Sequence, residues 1–450
     1  MPRKNLFLIS LLFLAALINL VGAFGPELGF DALWYHLTEP KLWLRWGRID
    51  FIPGGLLYYS AMPRLGELLF MGAMRAGMAD IGAHLINWAA GIGAAAVTYK
   101  IARKAGLSVF YSLLSVVIFY VTPLVGWQSG SAYVDLLRTF FESSALLLVF
   151  SGMPFLAGVA IGLAVSTKTL ALESLGVLGV IGFLGGWNKK QITHFLLPAI
   201  LLSAPWFIWA YFKTGYPFYP LGAGIINEMQ AFSLKIGFPG ITGDLVTPVY
   251  LILFLFFFLV RKPKLLTVYV ILTFLFWAAN GHTGGNRFLL PFLPGWAVMA
   301  AIIIRETRWV REIRGIRRLL LGIVILTAGV NISYRAEANL KVLPYLAGRE
   351  SKTEYLCKNL DFSTAVFVDC DGWMAKNIRP SDLVLVSGTH NLYYVDFPFV
   401  HESWYRGEWV NYILVQNGII TPTTQNIFQG RESKIVYKNP LTGVAVYKLM

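Results

Sequence analysis

The chain has 450 residues, of which 56% are hydrophobic, 15% aromatic and only 14% charged, with a mean hydropathy of +0.60. Soluble domains carry about 25% charged residues, so a water-soluble globular protein is excluded and an integral membrane protein is expected. The net charge of +14 does not point to nucleic acid, because the basic residues fall in short loops between apolar runs rather than along a face with interleaved aromatics.

In chain order, MPRKNLFLISLLFLAALINLVGAFG opens with a cationic pair and an apolar run long enough to cross a bilayer. It reads as a retained first span rather than a cleaved secretory signal, since many further spans follow. Apolar runs bounded by charges or Pro/Gly lie near 6–24, 81–99, 108–125, 132–150, 154–170, 172–187, 194–212, 245–260, 265–280, 288–304 and 318–334, which makes about eleven transmembrane helices. Arg3–Lys4, Lys100/Arg103/Lys104, Lys189–Lys190, Arg261/Lys262/Lys264 and RETRWVREIRGIRR all fall between spans on one side. That side is expected to be cytoplasmic. The N-terminus then lies inside, while the loop 25–80 and everything after 335 lie outside a plasma or inner membrane. Residues 1–335 read as the transmembrane domain. Residues 336–450, with VLVSGTHNLYYV, AVFVD, KIVYK and VAVYKL as short strands, read as a small extracytoplasmic α/β domain. The two cysteines, Cys357 and Cys370, both lie there; a disulfide and two unpaired buried thiols are both open. Gly158 and Gly162 form a GxxxG, expected to mark close helix packing.

The first external loop contains GFDALWYHLTEPKLWLRWGRI (29–49), which mixes Asp31, His36, Glu39 and Lys41 with Trp34, Tyr35, Trp43 and Trp46. The aromatics suit an amphipathic helix lying flat in the headgroup region. His36 and Glu39 are i, i+3 neighbours, but one such pair is not a metal site, and no metal or cofactor is assigned. Ionisable residues inside spans are costly and usually meet a partner or a cavity. Asp135, Arg138 and Glu142 share one helical face, either as a self-neutralised network or with Asp135 in a site. Lys168 lies about fourteen residues above Pro154, ~21 Å up a ~30 Å core, either pairing with Glu173 or waiting for an anion. Arg287 opens the tenth span on the same outer side. The topology therefore brings Asp31, Asp135, Lys168 and Arg287 to one depth. Two cations beside a carboxylate suit a lipid phosphate as leaving group and a base for an acceptor hydroxyl.

Several ordered segments resemble the GT-C superfamily of polytopic glycosyltransferases that use polyprenyl-phosphate sugars. The likeness is to the bacterial branch related to protein O-mannosyltransferases and lipid A aminoarabinose transferases. They are GFDALWYHLTEPKL in the first loop, MPRLGELLF (62–70), SAYVDLL (131–137), GLAVSTKTLAL (162–172), APWFIWAYFKTGYPFYPL (204–221) and NRFLLPFLP (286–294). The resemblance implies inverting transfer at the outer face to a lipid, glycan or protein acceptor, with Asp31 as general base. Lys168 and Arg287 would hold the donor phosphate; Lys41 is a further candidate for that role, and His36, Glu39, Arg64 and Asp135 are candidates to line the site. Two departures stand out: Ala32 follows Asp31 where many relatives carry a second acid, and Ala61–Met62 stand where aminoarabinose transferases carry a lysine. Either Lys41 or Arg64 replaces that cation, or the donor is held differently. The sequence alternatives are a transporter or a non-catalytic membrane protein with a structural charge network.

Overall fold

The computed structural model describes residues 2–220, 247, 249–250, 263–280, 285–306 and 314–450. Cα packing divides the chain into two units, one comprising Met1–Phe24, Met62–Gly66 and Gly82–Lys341, the other Gly25–Ala61, Glu67–Ile81 and Val342–Met450.

The first unit is helical. Five helices are long and apolar enough to cross a membrane: Arg3–Ala23, Ala79–Lys104, Lys189–Thr214, Arg287–Arg305 and Gly315–Leu340. Shorter apolar helices cover Val109–Tyr120, Pro154–Thr167, Ala171–Leu184 and Lys264–Ala278, and Asp135–Phe150 forms another. Ten of the eleven expected spans thus contain a helix; the eleventh, 245–260, lies almost wholly outside the described residues, as do the cations Arg261 and Lys262. In the Arg287–Arg305 span 89% of the apolar window is buried, against 28% in Arg3–Ala23. The former is the centre of the bundle, and the latter turns most of its apolar surface outward, as a lipid-facing helix does. Trp296 is fully enclosed and satisfies its indole N–H by donating to Thr273 Oγ1 at 2.9 Å. The GxxxG does what its spacing suggests: a Cβ at Gly158 would stand 2.1 Å from the Phe195 carbonyl oxygen, and one at Gly162 3.0 Å from Ala199 Cα. The Pro154–Thr167 and Lys189–Thr214 helices therefore touch backbone to backbone.

The second unit is an α/β body in which the loop after the first helix and the tail fold together. Its five strands are β1 Val384–Ser387, β2 Phe399–His401, β3 Tyr412–Gln416, β4 Ser433–Asn439 and β5 Val444–Leu449, in the order β2-β1-β3-β5-β4. β1 pairs parallel with β2 and β3, while β5 runs antiparallel to β3 and β4. Alternate side chains split between two faces: Val384, Val386, Leu414 and Val446 pack on one, and Leu385, Ile413 and Val415 on the other. Both faces of β1 are buried, which suits its parallel neighbours. The strands expected in KIVYK, VAVYKL and VLVS are present. AVFVD instead makes a single bridge, Val366 to Asn391, and β2 and β3 were not foreseen. A disulfide joins Cys357 to Cys370, settling which cysteine alternative holds.

The loop is not a free-lying interfacial helix. A π-helix, Ala32–His36, and an α-helix, Thr38–Trp46, bury Tyr35 and Trp43 to 4% and 2% exposure. Tyr35, Leu42, Ile52 and Leu57 form a small core with Phe399 and Trp404 of the tail. Burying those rings in protein removes them from any contact with headgroups; Trp46 alone of the four expected anchors is exposed.

Candidate active site

The charged residues singled out above fall into two groups, one in each unit. In the helical unit, Asp135 begins the Asp135–Phe150 helix and is fully buried. Lys168 closes the Pro154–Thr167 helix with extended backbone, and its Nζ donates to Asp135 Oδ1 at 2.7 Å. Arg287 Nε lies 3.7 Å from Asp135 Oδ2, and Gln128 Nε2 donates to the same oxygen at 3.3 Å. Lys168 sits over the Phe288 ring at 5.3 Å, and Arg287 over Tyr133 at 5.2 Å and Phe288 at 5.6 Å. Aromatic faces thus hold both cations from the side.

Asp135, Arg138 and Glu142 share a helix face as expected but have separate partners. Arg138 Nε donates to Glu142, whose other oxygen accepts from Ser174, and Arg138 Nη2 donates to the Leu170 carbonyl at 3.2 Å. That pair neutralises itself. Lys168 turns to Asp135, not to Glu173. The remaining group holds two cations against one carboxylate, with the lysine and arginine side chains 15% and 19% exposed and the aspartate 1%. Both cations thus converge on one buried carboxylate.

In the second unit, Asp31 precedes the π-helix and is half-buried, and Tyr35 Oη donates to it at 3.4 Å. His36 and Glu39 are both buried. His36 Nδ1 meets Glu67 Oε1 at 2.6 Å, and Glu39 is fully buried. Arg64, in the helical unit, is 4% exposed.

Lys41 is directed to the tail. Its Nζ donates to the carbonyls of Tyr393 and Val395 and to Asp396 Oδ1 at 2.6 Å. These contacts use all three N–H donors of the ammonium, so a phosphate contact from Lys41 requires breaking one of them. Burial holds its pKa down at about 8, against the opposing pull of Asp396. Arg45, one turn on, donates to the Val395 carbonyl at 3.0 Å.

Sequence reasoning passed over a second loop–tail cluster. Asp80 accepts from the Glu27 backbone N–H at 3.1 Å and lies 3.3 Å from Lys352 Nζ. Tyr394 Oη donates to the Glu27 carbonyl at 2.8 Å. Asp80 and Glu27 sit at the edges of apolar runs, where a charge is usually a flank, and only the fold shows them buried. Among the described residues, no three His, Cys, Asp or Glu side chains gather as a metal site would need.

No protein-family model and no curated protein matches the sequence. Solved structures do. ArnT from Cupriavidus metallidurans bound to undecaprenyl phosphate superposes with a TM-score of 0.67 at 13% identity, over 98% of this chain and 97% of that one. Its apo form gives 0.66 at 12%, over 99% and 98%. The archaeal oligosaccharyltransferase AglB from Archaeoglobus fulgidus, in complex with an inhibitory peptide and a dolichol-phosphate, gives 0.52 at 12%, over 100% of this chain and 75% of that one. The chain has the GT-C fold. The GT-C likeness extends through the sheet unit as well as the helices, since the match to ArnT takes in nearly the full length of both proteins.

Proposed function

We propose that this protein is a membrane glycosyltransferase that moves a sugar from a polyprenyl-phosphate carrier to an acceptor outside the cytoplasm, with inversion at the anomeric carbon. The observation that carries the reading is the pair of cations, Lys168 and Arg287, set on one buried carboxylate, Asp135. The fold supports it, because the structures it resembles include one holding undecaprenyl phosphate and one holding a dolichol-phosphate.

In this mechanism the Asp31 carboxylate takes the proton from an acceptor hydroxyl as that oxygen attacks the anomeric carbon. The bond from that carbon to the phosphate oxygen breaks, and its electron pair leaves with the polyprenyl phosphate. Lys168 and Arg287 meet the charge that grows there, and Asp135 keeps them aimed. On this reading the charge bias of the loops puts the N-terminus inside and the sheet unit outside the membrane. The loop that carries Asp31 then works on the same side.

Asp31→Asn tests the assignment. Transfer from a synthetic polyprenyl-phosphate sugar, followed by mass spectrometry of cell-envelope acceptors, should fall by a factor of about 100 to 10,000 with donor-lipid binding intact. Full transfer by the variant sinks the role of base. A protein that moves a solute and transfers no sugar answers to the transporter alternative.

A further inference from the structure

The tail places one titratable ring beside the loop residues that carry Asp31, and nothing in the mechanism above uses it. His390 follows β1 in the turn Gly388–His390. Its ring stacks on Phe30 at 5.1 Å with 21° between the planes, and lies tilted against Trp34 at 4.3 Å. Phe30 immediately precedes Asp31, and Trp34 stands one turn after it. The imidazole is therefore wedged between the two side chains that bracket the carboxylate. Backbone bonds hold it in place: His390 N and Asn391 N both donate to the Ala365 carbonyl, at 2.8 and 3.1 Å. Trp34 is fixed in turn by its indole N–H donating to the Leu56 carbonyl at 2.9 Å.

We propose that His390 is a positioning residue for Asp31, through which the tail takes part in the proposed transfer. This inference rests on Asp31 being the base. His390 Nδ1 lies 3.3 Å from Asn391 Oδ1. An amide oxygen only accepts, so the neutral ring carries its proton on Nδ1 and keeps Nε2 as its basic nitrogen. Burial lowers the imidazole pKa below its usual value, and the Asp31 charge draws it partly back up. His401 on β2 is also in electrostatic reach and is held neutral to about pH 4 by burial. At neutral pH His390 is thus an uncharged platform that fixes the Phe30–Trp34 bracket. In acid it becomes a cation beside the base, stabilises the carboxylate and makes it a poorer proton acceptor.

The first test needs no enzymatic activity. Histidine-labelled full-length protein in lipid nanodiscs is titrated by NMR, with the His390 signal assigned from its loss in His390→Gln. The wild-type midpoint should lie below 6.5, and Asp31→Asn should move it lower by about half a unit or more, because the attracting charge is gone. An unmoved midpoint overturns the proposal even if Asp31 proves to be the base. The second test is kinetic. His390→Phe keeps a stacking ring but cannot titrate, and should lower kcat about tenfold with the donor KM unchanged while displacing the acid limb of the pH profile to lower pH. A wild-type pH profile in His390→Phe also overturns it. Full activity in Asp31→Asn with the NMR shift present overturns the role of base and leaves His390 without a reaction to position.

Discussion

Lys41 and Asp396 are 355 positions apart in the chain, and the lysine Nζ is 2.6 Å from the aspartate Oδ1. The contact joins the loop after the first helix to the tail inside one folded unit. Its pH behaviour can be worked out. In the unfolded chain Lys41 keeps its proton to about 10.5 and in the folded chain to about 8. Between those values the unfolded state binds more protons, so stability should rise with pH, by roughly 1 kcal/mol per unit at most. Below about 8 the cost of burying the ammonium is fully present. Thermal unfolding from pH 7.5 to 10.5 should show this slope in the wild type and lose it in Lys41→Met; an equal slope in both contradicts the assignment.

The charge group around Asp135 predicts a non-additive pair. Lys168→Met leaves a buried carboxylate short of a partner and should cost about 3 kcal/mol of stability. Asp135→Asn combined with Lys168→Met removes both charges and should recover most of it. Donor binding, measured with fluorescent undecaprenyl phosphate, should remain weakened in the double variant. Wild-type affinity there removes Lys168 from the phosphate site.

Gly54 has φ +94°, and a Cβ there would fall 1.4 Å from the Ser403 carbonyl oxygen. Both the backbone angle and the space demand glycine. Gly54→Val should detach the 52–57 segment from the tail at a cost of about 3 kcal/mol or more. Limited proteolysis would then cut within that segment, which should resist in the wild type.

The helix contact at Gly158 gives a prediction with its own control. Gly158→Leu must push the Phe195 backbone away and should lower the melting temperature and the yield of folded protein. Gly176 lies on the exposed side of the Ala171–Leu184 helix, with nothing within 4 Å of a Cβ. Gly176→Leu should melt as the wild type does. Helix propensity favours leucine over glycine at both positions, so equal loss in both would mean that added bulk in general, and not this contact, is being read.

What could be read from the residues follows from where the information lies. Span positions come from runs of apolar side chains, so every expected span that the structure describes contains a helix. Lys168 and Arg287 stood out because a charge in an apolar run is costly, and they share Asp135 as a partner. Glu27 and Asp80 did not stand out, because an acid at the end of a hydrophobic segment has no local anomaly; the tail residues Tyr394 and Lys352 that meet them lie hundreds of positions away. The π-helix Ala32–His36 escaped for a related reason. Sequence spacing assumes 3.6 residues per turn and carries no sign of a single wider one. β2, with three residues, is too short to show alternation.

The pairing of Lys41 with the tail also sets an order on how the protein is made. At roughly 5 to 20 residues per second, the 355 residues between Lys41 and Asp396 take roughly 20 to 70 s to synthesise. Throughout that interval Lys41 and Arg45 await the tail carbonyls and carboxylate that accept from them in the finished molecule, while Leu42 has Tyr35, Ile52 and Leu57 of its own loop beside it. The first loop to leave the ribosome is thus among the last parts of the molecule to be completed.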